Sequence, residues 1–109
     1  MRHEYQDRVS FEIARRIASE LPQRPEWMEM ARANLKRWST ANSDAPSLLT
    51  CYTEWASLLD KPVPSICAVL TAQTDEGQRL RQTSPFAGAL SPQDVWEIKR
   101  RLRHEEVSA

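Results

Sequence analysis

Seven prolines divide the chain into segments, and the apolar residues inside each segment have the spacing of a helix. Proline is tolerated in the first turn of a helix but breaks a helix interior. These prolines fall where apolar patterns start or stop. Inside the segments, apolar residues recur three and four positions apart and so share one helix face. No segment alternates apolar and polar residues as a half-buried strand does. The sequence therefore predicts an all-α fold.

The pattern predicts a single compact bundle of five or six short helices, over residues 4–21, 25–38, 46–59, 65–72, 74–83 and 92–105. Two helix starts carry capping signals, since Thr74 and Ser91 offer side-chain oxygens to the N–H groups of the following turn. Gly77 weakens the fifth helix because glycine has a low helix propensity. A chain of 109 residues fits one helical domain, 1–109.

Four tryptophans and many aliphatic side chains are available to fill the core of this bundle. A stripe of Met and Trp at helical spacing, as in residues 27–38, is typical of a core and not of a cofactor site. We therefore expect no cofactor. The predicted core-facing residues are Val9, Ile13, Ile17, Leu21, Trp27, Met28, Ala31, Leu35, Trp38, Leu48, Tyr52, Trp55, Leu59, Val95, Ile98 and Leu102.

The charge of the chain is balanced in total but uneven along its length. Lys and Arg number 15, as do Asp and Glu. Residues 39–78 contain one basic and five acidic residues, whereas residues 79–104 contain six basic and two acidic residues. This distribution favours a protein with faces of opposite sign over a general nucleic-acid binder, which carries a clear positive excess.

No group of residues has the spacing of a catalytic or metal site. Cys51 and Cys67 lie sixteen positions apart without a CxxC motif, so buried thiols are expected. His3 and His104 lie near the two ends in charged surroundings and are expected to be solvated. The motifs HExxH and GxSxG and a Gly-rich phosphate loop are all missing. We expect no catalytic residues, no bound metal and no enzymatic activity.

The N-terminal residues are polar, and no apolar run of signal-peptide length follows them. No segment approaches the roughly 20 apolar residues that a membrane-spanning helix needs. The sequence predicts a cytoplasmic protein without membrane attachment.

The last predicted helix places an aromatic residue among cations, because Trp96 shares its stripe with Lys99, Arg100 and Arg103. One interpretation is a half-buried tryptophan stacked by its own arginines. The other is a recognition face, since interface anchors are enriched in Trp, Tyr and Arg. The residues alone leave both interpretations open.

The connector before this helix raises a similar choice. Arg79, Arg81 and Gln82 precede Phe86, which lies between a proline and a glycine. Phe86 either pins the connector onto the core or is presented to a partner. On the second interpretation, the predicted partner-binding residues are Arg79, Arg81, Gln82, Phe86, Trp96, Arg100 and Arg103.

The segment RLRQTSPFAGALSPQDVWEIKRRL, residues 79–102, resembles a known pattern. The pattern, roughly RLRQxSPFAGxLSPxxxW, lies near the C-terminus of small helical bacterial proteins encoded beside toxin-like genes. WMEMARANLKRW and YTEWASLLDKP resemble the middle segments of the same proteins. The resemblance covers most of the chain after about residue 20.

This resemblance implies an antitoxin or antitoxin-like component of a bacterial toxin–antitoxin or phage-defence pair. The implied partner is the product of a neighbouring gene, a nuclease or nucleotidyltransferase. Such toxins commonly hold metal ions with carboxylates, and an inserted arginine would neutralise that acidic site. The candidate arginines are Arg79, Arg81, Arg100, Arg101 and Arg103. The chain departs from the usual antitoxin pattern, because no DNA-binding domain followed by a disordered tail is predicted.

Two other functions fit the residues. LSPQDVWEIKRRLRHE resembles the opening helix of some helix-turn-helix regulators, which makes a helical DNA-binding regulator an alternative. A non-catalytic structural subunit of a larger complex is the third interpretation.

Overall fold

Six α-helices make up most of the computed structural model, which describes the backbone of residues 2–108 and the side chains of residues 4–105. Their bounds are α1 Arg2–Glu20, α2 Pro25–Ala41, α3 Pro46–Leu59, α4 Val63–Leu70, α5 Asp75–Arg81 and α6 Pro92–Ser108. A short 3₁₀ turn, Leu21–Gln23, joins α1 to α2. The described backbone contains no β-strand. The predicted all-α fold of five or six short helices is confirmed.

Prolines open several helices, as the sequence predicts. Pro25, Pro46 and Pro92 are the first residues of α2, α3 and α6, where a missing N–H leaves no hydrogen bond unmade. The predicted start of α4 was two residues late, because Pro64 is accommodated in the first turn instead of lying before the helix.

The polar segment after residue 38, predicted to be a loop, continues α2 for one more turn. Asn42 closes this turn, since its backbone N–H and its side-chain Nδ2 both donate to the carbonyl of Trp38, at 2.8 and 3.0 Å. A cap of this kind satisfies helix-end carbonyls that otherwise lack partners. The end of α2 is therefore set by Asn42 and not by the first polar residue.

Both predicted helix caps form. The hydroxyl of Thr74 accepts the N–H of Gly77 at 3.0 Å at the start of α5. The hydroxyl of Ser91 accepts the N–H of Asp94 at 3.1 Å at the start of α6. Each bond satisfies an N–H group that has no partner inside its own helix.

One hydrophobic core draws on all six helices and on the connector between α5 and α6. Most of the predicted core residues are buried, and Ile13, Trp27, Met28, Trp38, Leu48 and Val95 pack against the core while partly exposed. The buried apolar residues are Val9, Ala14, Ile17, Ala18, Leu21, Ala31, Leu35, Tyr52, Trp55, Leu59, Ile66, Leu70, Leu80, Phe86, Leu90, Ile98 and Leu102.

Helix α1 lies at the centre of the packing and contacts α4, α5 and α6, while α2 packs against α3. Helix α6 turns Ile98 and Leu102 into the core. Because an α-helix advances about 100° per residue, Trp96 and its stripe lie well away from this buried face. The packing therefore leaves the outer side of α6 to solvent.

Candidate protein-binding site

Phe86 belongs to the core, which settles the choice raised by its position on the connector. Its side chain is fully buried and meets the ring of Trp55 edge to face, with centroids 6.2 Å apart. Of the two interpretations of Phe86, the structure shows the one in which the ring pins the connector onto the core, and the ring is not exposed to a partner. The kinked connector turns the ring inward, because burying a phenylalanine removes a large apolar surface from water.

A buried asparagine holds the connector in this conformation. Nδ2 of Asn34 donates to the carbonyl of Pro85 at 2.9 Å and to that of Ala87 at 3.4 Å. Its Oδ1 accepts from Arg37 at 2.6 Å. The connector then turns at Gly88, whose φ of +90° is a conformation that other residues rarely adopt. Asn34 thus holds the segment 84–88, which we call the clasp, against α2.

Arg79 is engaged inside the molecule. Its guanidinium binds Glu54 of α3 through two hydrogen bonds of 2.8 and 3.1 Å and also contacts Glu76. The hydrogen bond from Arg79 holds the pKa of Glu54 below its ordinary value. The bidentate pair gives Arg79 a defined role in joining α5 to α3.

Arg81 also makes contacts within the molecule. Its Nη1 donates to the carbonyl of Ala72 at 2.5 Å, and its guanidinium lies over the ring of Phe11, 5.1 Å from the centroid. Burial lowers the pKa of this guanidinium. Arg81 therefore links the end of α4 to α1, and some of its N–H groups already donate hydrogen bonds within the molecule.

Gln82 lies at the end of α5, exposed at the rim of a groove between α1 and the clasp. The groove has a volume of about 290 Å³, with Ile13, Phe86 and Val95 among its apolar lining. It opens beside the clasp, on a different part of the surface from the outer stripe of α6.

The remaining predicted site residues lie together on α6. Trp96, Lys99, Arg100 and Arg103 are all exposed, and their spacing places them on one helix face. Trp96 is 54% exposed and is the one large hydrophobic residue with this exposure among those described. We call these four residues the α6 stripe.

Aromatic rings hold two cations of the α6 stripe. The guanidinium of Arg100 lies over the indole of Trp96 at 5.5 Å, and that of Arg103 lies over the ring of Tyr5 at 5.9 Å. Tyr5 in turn donates its hydroxyl to the carbonyl of Lys99 at 3.0 Å. The stacking orients the arginines and leaves their N–H groups free of carboxylate partners within the described residues.

Ion pairs fix α6 to α1 on the side next to the stripe. Arg101 donates to Glu12 at 3.1 Å, and Arg8 donates to Glu105 at 3.0 Å. Arg101, which the resemblance also made a candidate, is thus engaged with α1. Helix α6 is thus packed on its core face and paired with α1 on one side, and the stripe lies on the remaining, exposed side.

Sequence reasoning missed two residues that shape this region. Asn34 shares a helix face with the buried Ala31, and a polar residue beside an apolar stripe was the available signal. Tyr5 supports Arg103 from the start of α1, 98 positions earlier in the chain, and no local pattern indicates this contact.

His104 is exposed on α6 beside Arg100 and Arg103. The side chain of His3 lies outside the described residues. No three His, Cys, Asp or Glu side chains converge as metal ligands within the described part of the chain. Among residues 2–108, no helix combines the length and the apolar character needed to cross a bilayer.

Comparison of the chain with protein-family models, curated proteins and solved structures found no match.

Proposed function

We propose that the protein is an antitoxin-like component of a bacterial toxin–antitoxin or phage-defence pair. In this role it binds and neutralises a partner toxin of the nuclease or nucleotidyltransferase type, as the resemblance of residues 79–102 implies. The observation that best supports a binding role is the α6 stripe, where an exposed tryptophan lies among cations that have no carboxylate partner within residues 4–105. Residues of this composition are typical of interface anchors.

The resemblance is densest where the structure shows two different roles. Residues 79–90 contain the clasp and the contacts next to it, whereas residues 96–103 contain the exposed α6 stripe. The clasp anchors the chain to the core through Phe86 just before α6 begins, and this arrangement suits the presentation of the outer face of α6. This arrangement supports inhibition by binding, without a chemical step carried out by this chain.

Co-expression tests the proposal. The product of the neighbouring gene is expressed from an inducible promoter, with and without this protein, and growth is followed. We expect growth arrest with the partner alone and recovery when both proteins are present. Failure of the wild-type chain to restore growth would contradict the proposed function.

A matched variant separates binding from catalysis. A double variant with His3→Ala and His104→Ala removes both groups best suited to proton transfer near neutral pH. We expect this variant to restore growth as well as the wild type does. Loss of recovery in a stably folded double variant would instead indicate an enzymatic function.

A further inference from the structure

The exposed side chain of Trp96 on α6 indicates a binding partner with an apolar surface. Trp96 is 54% exposed and leaves a large apolar surface in water. Trp55 is fully buried, and Trp27 and Trp38 pack against the core. Trp96 stands out from the other three, and tryptophans in such positions typically insert into a pocket of a binding partner.

The cations of the α6 stripe indicate that the partner carries negative charge around that pocket. Lys99, Arg100 and Arg103 form no ion pair with a described acidic residue, although Arg101 and Arg8 nearby on the same end of the bundle do. The stripe spans about 10 Å at the rise of an α-helix. Ring stacking orients the guanidinium groups of Arg100 and Arg103. Their N–H groups have no carboxylate partner within the described residues, and they suit bidentate binding of carboxylates.

Acidic residues near the stripe favour a protein partner over a nucleic acid. Glu97 lies between Trp96 and the cations in sequence, and Glu97 with Arg100 and His104 lines a shallow depression of about 530 Å³ along α6. A carboxylate in this position repels a continuous row of closely spaced phosphates, whereas a protein can place a few carboxylates beside the arginines and away from Glu97. The zero net charge of the chain points the same way.

We infer that the α6 stripe docks into an apolar pocket of a protein partner whose rim carries Asp and Glu side chains. This inference rests on the proposed function and specifies how its partner is recognised. Trp96 fills the pocket, and Arg100 and Arg103 bind the rim carboxylates. Lys99 adds a third, unstacked positive charge. The indole supplies most of the affinity, and the cations supply orientation and a salt-dependent association rate.

Titration of purified variants against the purified product of the neighbouring gene tests the inference. We expect Trp96→Ala to weaken binding by roughly 30-fold. Removing Arg100 and Arg103 together, by Arg100→Ala with Arg103→Ala, is expected to weaken binding by about tenfold or more. Raising salt from about 0.1 M to about 1 M is expected to weaken the wild-type complex more than the double arginine variant, because only the wild type has these charges to screen.

Lys36 provides the matched control. It is an exposed lysine of α2 without an ion pair to a described residue, as Lys99 is on α6. We expect Lys36→Ala to bind like the wild type, whereas Lys99→Ala binds measurably more weakly. Melting curves of all variants establish that each one is folded.

The outcomes separate the two proposals. If the wild type binds the partner and the Trp96 and arginine variants bind equally tightly, the docking inference is overturned and the proposed function stands. Loss of binding in Lys36→Ala alone would likewise place the interface elsewhere. If the wild type binds a single-stranded or duplex oligonucleotide through the stripe, and not the protein, both proposals are overturned. Absence of any binding also overturns both.

Discussion

Phe86 and Trp96 lie ten positions apart, and the sequence made both of them candidate anchors for a partner. The structure buries Phe86 against Trp55 and exposes Trp96 on α6. Local sequence does not distinguish the two, because burial depends on contacts with distant segments. Asn34, which holds the carbonyls beside Phe86, lies about fifty positions earlier in the chain.

Replacing Phe86 should therefore destabilise the fold, whereas replacing Trp96 should not. Phe86→Ala leaves a cavity in the core and is expected to lower the free energy of unfolding by about 3–5 kcal/mol. Trp96→Ala, as the matched aromatic control, is expected to change it by less than about 1 kcal/mol. Urea unfolding measures both values. Similar stability losses in the two variants would contradict the assignment of Phe86 to the core and Trp96 to the surface.

The pair of Arg79 and Glu54 shows why the arginines could not be sorted by sequence. Charge and position make Arg79 as good a candidate as Arg100, but the carboxylate that it binds through two hydrogen bonds, Glu54, lies 25 positions away on another helix. Arg81 is likewise held by a backbone carbonyl of Ala72 and by Phe11. Predicting which cations remain free requires the tertiary structure.

The Glu54 pair makes a pH-dependent contribution to stability. Because Arg79 holds the folded-state pKa of Glu54 below its ordinary value, the contribution is present above the ordinary range of Glu. It is lost as the pH falls through the lowered pKa. We expect Glu54→Gln to melt at a lower temperature than the wild type at pH 7 and at nearly the same temperature in acid below the lowered pKa, where the Glu54 carboxylate is protonated. A difference that persists unchanged in acid would contradict this role.

At the scale of the elements, helix starts were the most predictable feature. Prolines and capping hydroxyls act within a few residues, so the signals of α2, α3, α5 and α6 are contained in the local sequence. The ends were less predictable. The α2 end depends on the side chain of Asn42, and the connection from α1 to α2 is a 3₁₀ turn that buries Leu21.

Helix α5 contains a glycine that sequence reasoning treated as a weakness. Gly77 is buried where α5 approaches the end of α4, and a Cβ at this position would lie 2.4 Å from the carbonyl oxygen of Ala72. The glycine therefore permits close packing of the two segments. Its low helix propensity is the accompanying disadvantage.

Adding a methyl group at this position should therefore destabilise the protein, although alanine favours helices. We expect Gly77→Ala to lower the free energy of unfolding by about 1–3 kcal/mol through overpacking. Gln78→Ala, one residue further along α5, is the control and is expected to have little effect. A Gly77→Ala variant that melts above the wild type would show that propensity outweighs the close contact.

At the scale of the whole molecule, many charged side chains of the described residues form ion pairs within the molecule. Glu54 binds Arg79, Asp60 binds Arg32, and acidic residues of α1 and α6 bind arginines of the facing helix. Within the described residues, the α6 stripe combines three cations that lack carboxylate partners with an exposed indole. Composition indicated faces of opposite sign. The tertiary structure is needed to locate the α6 stripe as a group of neighbouring cations without carboxylate partners among the described residues.

Quenching of Trp96 fluorescence tests the central claim, that the α6 stripe binds a protein partner, most directly. The contribution of Trp96 is the difference between the wild type and Trp96→Phe, measured with iodide before and after saturation with the neighbouring gene product. We expect this contribution to be readily quenched in the free protein, since the indole is 54% exposed, and protected in the complex. Formation of a stoichiometric complex in which Trp96 stays as accessible to iodide as in the free protein would contradict the account.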